Sequence, residues 1–152
     1  MTEEIEIKEL SEVVVRFSGD SGDGMQLAGN IFSTISATVG NGISTFPDYP
    51  ADIRAPQGSL TGVSGFQVHI GSGPVYTPGD QCDVLVAMNA AALKTQYKYA
   101  KPQATIIIDT DSFGAMDLKK ADFKTDDYLA ELSIDPDRVV ACPITQMVKA
   151  IA

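Results

Sequence analysis

The run EVVVRFS at 12–18 is apolar and β-branched and breaks at once into GDSGDG, so it predicts a strand that ends in a glycine-permitted turn. From Met25 onward, apolar residues at Met25, Ala28, Phe32, Ile35 and Val39 recur at intervals of three and four. That period predicts a helix with one face on a core, stopped by Gly40 and Gly42. FPDYPADIRAPQG at 46–58 carries three prolines, each lacking a backbone donor, and reads as a shaped surface loop. Phe66, Val68 and Ile70 then alternate with Gln67 and His69, the pattern of a strand with one wet face. GSGP is expected to turn it back, with Val75–Thr77 as an antiparallel return.

Further along, the pattern changes. DVLVAM at 83–88 and TIIID at 105–109 are apolar without alternation, as in parallel strands covered on both faces. Between them, Ala90, Leu93, Tyr97 and Ala100 mark the inner face of a helix over 89–100, completing a βαβ unit. Arg138–Cys142 reads as one more such strand, and the charged stretch 111–137 as a surface excursion with at most one short helix. Ile144, Met147, Val148 and Ile151 keep helical spacing up to Ala152 with no glycine cap. The expectation is a loose N-terminus over 1–10 and one domain over 11–152, cut inside a helix from a longer polypeptide. The fold class expected is a three-layer α/β/α arrangement with a mixed, mostly parallel sheet.

Charge narrows the function classes. Eleven Lys and Arg against twenty Asp and Glu give a net charge of −9, which removes the phosphate attraction behind nucleic-acid binding and disfavours an anionic membrane surface. No apolar run has the length of a membrane span or a signal-peptide core, so a cytoplasmic location is expected. Cys82 and Cys142 lie sixty positions apart with no CxxC pair and no nearby histidine, and read as buried reduced thiols. His69, the one histidine, reads as a surface residue on the polar side of its strand.

The candidate chemistry lies in the turn. Gly19, Gly22 and Gly24 stand between a strand and a helix, where backbone N–H groups and the helix dipole favour an anion such as a phosphate. The spacing is G-x-x-G-x-G rather than the dinucleotide G-x-G-x-x-G, no P-loop lysine follows, and Asp20 and Asp23 oppose a phosphate. The competing reading is a tight turn in which Asp23 or Ser21 caps the helix. Arg54, in DIRAP, offers a fork suited to a carboxylate or phosphate, or to a salt bridge with Asp48 or Asp52. Ser18, Ser21 and Ser64 precede glycines, but none sits in a G-x-S-x-G elbow with ordered His and Asp partners, so hydrolase chemistry has little support.

RFSGDSGDGMQLAG at 16–29, FPDYPADIRAPQG at 46–58, GVSGFQVHIGS at 62–72 and DVLVAMN at 83–89 together resemble the γ domain of the 2-oxoacid:ferredoxin oxidoreductases. Within that family they are most similar to the fused α subunit of enzymes acting on 2-oxoglutarate. The resemblance implies CoA-dependent oxidative decarboxylation of a 2-oxoacid, with thiamine diphosphate, Mg2+ and iron-sulfur clusters passing electrons to ferredoxin. It places those cofactors and all catalytic residues outside this chain, in the remaining α region and the β subunit, which become its expected partners. It also makes Ser21, Gly22, Gly24 and Arg54 the candidate contacts for CoA or a neighbouring domain, with Gly19, Asp20 and Asp23 forming turn and cap. A free-standing nucleotide or CoA module and a purely structural interface domain are the alternatives.

Overall fold

The computed structural model describes residues 5–52 and 54–152. Six strands form one sheet in the order β2-β3-β1-β4-β5-β6, with β1 at Glu12–Asp20, β2 at Gly42–Asp48, β3 at Val63–Gly71, β4 at Cys82–Ala87, β5 at Ala100–Asp109 and β6 at Val139–Cys142. β1, β4, β5 and β6 run parallel, while β3 is antiparallel to both β1 and β2. Helix α1 (Met25–Thr38) packs against β1, β2 and β3 on one face. α2 (Ala90–Gln96), α3 (Ala115–Lys120) and α4 (Tyr128–Glu131) lie on the other, where Leu85, Leu93, Ile106, Ile108 and Leu118 form the main core. α5 (Ile144–Ile151) follows β6. The mixed three-layer class expected from the pattern is the one observed.

Several local expectations are corrected. The inner face of α1 is Met25, Gly29, Phe32 and Ser36, whereas Leu27, Ile31, Ile35 and Val39 form a solvent-facing apolar stripe. Close approach to the sheet decides this: a Cβ on Gly29 would lie 2.1 Å from the Phe66 ring, so the helix turns its smallest residue inward. The proline-rich segment begins as a strand, because Pro47 can occupy an edge strand whose outer side needs no donor. Val75–Thr77 forms no return strand, since both edges of β3 are already taken by β1 and β2. The face of β3 expected to be wet is covered by other segments: Gln67 is buried under Pro78 and Gly79, whose carbonyls accept from its Nε2, and beside Arg16. The 111–137 stretch holds two short helices, and its Phe113, Leu118, Ala121, Phe123 and Ile134 join the main core.

Arg16 is the buried charge of the sheet. Its Nε donates to Gln96 Oε1 at 2.7 Å, Nη1 donates to Gln67 Oε1 at 3.0 Å, Nη2 donates to the Asp48 carboxylate, and the guanidinium stacks 4.3 Å from the Tyr99 ring centre. Asp48 stands two strands away, and the group reaches it across β3 because Gly65 has no side chain; a Cβ there would lie 3.3 Å from Nη2. Asp109, at the end of β5, collects the hydroxyl and N–H of Thr145, the N–H of Asp111 and the hydroxyl of Ser112. Burial alone raises its pKa, but these bonds outweigh it and hold the carboxyl below its usual range while tying α5 to β5.

His69 is not a free surface residue: its ring is largely covered, with Nδ1 2.7 Å from the Thr77 carbonyl and Nε2 3.4 Å from Glu12. Cys82 is buried and Cys142 half-buried, both as free thiols, and burial above all pushes the Cys82 thiol up to about 11.

Two substitutions check this packing. Gly29→Ala is expected to destabilise the domain by about 1–3 kcal/mol despite alanine's better helix propensity, read as a lower chemical-denaturation midpoint. Arg16→Lys is expected to cost about 3 kcal/mol, because one ammonium cannot bond Gln67, Gln96 and Asp48 together; an unchanged midpoint would refute that account.

Candidate functional site

β1 and β4 are parallel neighbours, yet α1 leaves the end of β1 toward one face and α2 leaves the end of β4 toward the other. Where adjacent connections part in this way, the carboxyl ends of the strands open a crevice, the general ligand position of open α/β sheets. Here two cavities meet. One, of about 220 Å³, is lined by Asp20, Asp23, Gln57, Gly58, Asn89, Ala90, Ser112, Asp117 and Lys120. The other, of about 270 Å³, is lined by Asp20, Ser21, Gly22, Ala55, Pro56, Gln57 and Gly62. Asp20 and Gln57 belong to both.

The glycine turn is built tightly. Gly19 and Asp20 end β1, Ser21–Asp23 make one 3-10 turn, and Gly24, at φ 75°, sends the chain into α1. Gly19 is demanded by space: a Cβ would meet the Asp23 carboxylate at 3.0 Å and Met88 at 3.1 Å. The Asp23 carboxylate accepts the Asp20 N–H at 2.9 Å, closing the turn on itself. Asp20 Oδ2 accepts the N–H of Gly58 at 2.9 Å and so ties the turn to the proline-rich loop. That loop holds its own shape through Ala55 N–H to the Asp52 carbonyl and the Ser59 hydroxyl to the Pro56 carbonyl. On the other wall, Asn89 Oδ1 caps α2 by accepting the Ala92 N–H at 2.7 Å.

Of the residues singled out from the sequence, Ser21, Gly22, Asp20 and Asp23 come together at the cavities. Gly24 and Arg54 line neither. Arg54 is exposed; its backbone N–H donates to Asp52 Oδ1 at 3.0 Å, and its guanidinium forms no ion pair among the described residues. Asp48, a partner considered for it, is taken by Arg16. Sequence reasoning passed over Gln57, Asn89, Asp117 and Lys120. Asn89 had a signal, an N-cap residue between a strand and a helix; the other three are gathered only by the fold.

Electrostatically the crevice is acidic. Burial, then the charges of Asp20 and Asp109, raise the Asp23 pKa, against the lowering effect of the Asp20 N–H. Among the described residues, no group of three or more His, Cys, Asp or Glu side chains is placed to hold a metal ion, and no helix is long and apolar enough to cross a membrane.

Residues 14–152 match the family described as pyruvate ferredoxin/flavodoxin oxidoreductase. The chain belongs to this family. It is 48% identical over 116 residues, 76% of its length, to the 2-oxoglutarate oxidoreductase subunit KorA of Mycobacterium tuberculosis, of which it spans 18%. In structure it is similar to the 2-oxoglutarate:ferredoxin oxidoreductase of Magnetococcus marinus, solved with 2-oxoglutarate, coenzyme A and succinyl-CoA bound. That match has a TM-score of 0.67 and 25% identity, and covers 93% of this chain and 22% of that one. It is also similar to the γ subunit of a keto/oxoacid ferredoxin oxidoreductase of Geobacter sulfurreducens, with a TM-score of 0.53 and 29% identity over 67% of this chain and 53% of that one. The family resemblance carried by the glycine-turn and proline-loop motifs is thus borne out, and the fold of this chain places those motifs side by side at one crevice.

The raised Asp23 pKa yields a signed prediction. A folded-state carboxyl pKa above its unfolded value means that the folded state holds the proton more tightly, so stability falls as pH rises from the ordinary carboxylate range through the folded pKa. Asp23→Asn removes the charge that partial desolvation and Asp20 oppose, while its amide oxygen can still accept the Asp20 N–H. The variant is expected to melt higher than the parent at pH 7 and level with it at pH 3, where both states of the parent are protonated. An equal difference at both pH values would refute the assignment.

Proposed function

We propose that this chain serves as the γ-type domain of a 2-oxoacid:ferredoxin oxidoreductase acting on 2-oxoglutarate, and that its crevice receives part of coenzyme A. The observation that carries the reading is the fold match over 93% of the chain to an enzyme of that name solved with coenzyme A bound, together with a two-chambered crevice at the strand ends. The reaction is CoA-dependent oxidative decarboxylation of the 2-oxoacid to its acyl-CoA, with electrons passed to ferredoxin. Thiamine diphosphate, Mg2+ and iron-sulfur clusters are held by the remaining α region and the β subunit. A four-cysteine cluster needs four thiolates, and the sequence has two cysteines.

The surface supports a place in a larger assembly. Parallel sheets are normally covered on both faces. Here Val84, Val86 and Ile107 are only half-covered, Val140 is exposed, and beside them α1 presents Leu27, Ile31 and Ile35 to solvent. In this reading Ser21 and Gly22, which line the crevice, and Gly24 beside them face the cofactor, and Arg54, outside the crevice and exposed with no ion pair among the described residues, supplies a cation for a CoA phosphate.

Two measurements test the reading. Purified chain is expected to be stabilised by CoA in thermal-shift and calorimetric titrations, with ATP and NAD much weaker, and Arg54→Ala is expected to weaken CoA binding about tenfold, the loss of one charge-assisted hydrogen bond. The chain alone is expected to reduce no ferredoxin with 2-oxoglutarate and CoA, whereas the assembly containing it does. Preference for ATP or NAD, or turnover by the chain alone, overturns the proposal.

A further inference from the structure

At the other end of the sheet from the crevice lies a cavity of opposite charge. It has a volume of about 240 Å³ and opens where Gln81 leads into β4, Ala100 and Lys101 begin β5, and Arg138 leads into β6. These are the amino ends of the parallel strands, whereas the crevice stands at their carboxyl ends. Three cations, Lys98, Lys101 and Arg138, share its wall, and no Asp or Glu lines it. The chain as a whole has a net charge of −9, and acids line both chambers of the crevice. Like charges gathered without a counter-ion oppose one another, and a bound anion relieves them.

Bonds within the chain neutralise only part of this charge. The Lys101 ammonium is met by Asp83 at 2.9 Å. Lys98 and Arg138 form no ion pair among the described residues, although Asp135 and Asp137 stand close to Arg138 in the sequence. The Lys98 ammonium has the Tyr99 ring, 5.1 Å away at its centre. Arg138 is half-buried and held in place: its Nε donates to the Ala104 carbonyl and its Nη2 to the Lys101 carbonyl, each at 2.9 Å. Those two bonds occupy one side of the guanidinium and leave its end, both N–H groups of Nη1 and one of Nη2, without an acceptor among the described residues. That end is the fork that grips two oxygens of a carboxylate or phosphate. Beside the cations, buried Ile106 and Ile134 give the cavity an apolar floor.

We propose that this cavity is a binding site for a small organic dianion, its charge held by Arg138 and Lys98 and its carbon body resting on Ile106 and Ile134. Two unpaired cations match two negative charges, and the apolar floor favours an organic anion over bare phosphate. Phosphate monoesters and dicarboxylates both carry this chemistry. The site is separate from the crevice and independent of what binds there.

Amide NMR of the full chain at low ionic strength, titrated with glycerol 3-phosphate, glutarate and inorganic phosphate, tests the proposal. At least one of the two organic dianions is expected to move the Ser133 and Ile134 resonances saturably, with an affinity about tenfold above that of inorganic phosphate. The tighter of the two identifies the source. Lys98→Glu reverses an exposed charge that makes no hydrogen bond among the described residues, and it is expected to weaken this binding about tenfold. Arg138→Gln is expected to abolish it; should that variant not fold, Lys98→Glu decides alone. No saturable shift with either organic dianion, equal binding of inorganic phosphate, shifts centred on Gly22 and Gly58 of the crevice, or unchanged affinity in Lys98→Glu overturns the inference.

Discussion

One buried guanidinium organises this domain. Arg16 sits mid-strand in β1 with no access to water, and a charge in that position is tolerable only if its donors are met. Gln67 from β3, Gln96 from α2 and Asp48 at the end of β2 meet them, and Tyr99 covers the planar face. A single side chain thereby joins an edge strand, two inner strands and the helix of the opposite layer. It also fixes where β2 ends, and hence where the proline-rich loop begins its path toward the crevice. Gly65 is part of the same constraint, because a side chain there would block the guanidinium from its carboxylate.

The crevice inherits its form from that anchoring and from the divergence of α1 and α2. The turn after β1 is rigid: Asp23 closes it, Gly19 leaves no spare volume, and the Asp20 to Gly58 bond fastens it to the loop. The same aspartates that make the turn rigid make it acidic. A strand-glycine-helix turn is ordinarily read as a cradle for phosphate, but the field differs here, because Asp20 and Asp23 bring negative charge into the turn itself.

Much of the architecture was legible in the chain because it depends on local pattern. β1, the glycine turn, the existence of α1, the βαβ unit of β4, α2 and β5, and the last strand all follow from period, β-branching and glycine position. Local pattern failed wherever a distant segment set the environment. The apolar period of α1 put Met25 and Phe32 on the inner face correctly but Ile35 and Val39 wrongly, since close contact with Phe66 favoured the Gly29 side. Gln67 and His69 read as wet because their alternation is polar, yet α2, the 77–79 segment and Glu12 cover them. The 111–137 stretch read as surface because its charges outnumber the few aromatic and aliphatic residues that bury it.

The sequence by itself determined the family, the layer class and the strand-turn-helix at the heart of the site, because motifs and periodicity are properties of neighbouring residues. Only the tertiary structure decided that Asp20, Gln57, Asn89, Asp117 and Lys120 share one crevice, that Arg54 stands outside it, and that one oxygen of Asp20 lacks a partner among the described residues. Proximity across a sheet and the satisfaction of a buried polar atom depend on segments tens of residues apart, and no local pattern records which of them will meet.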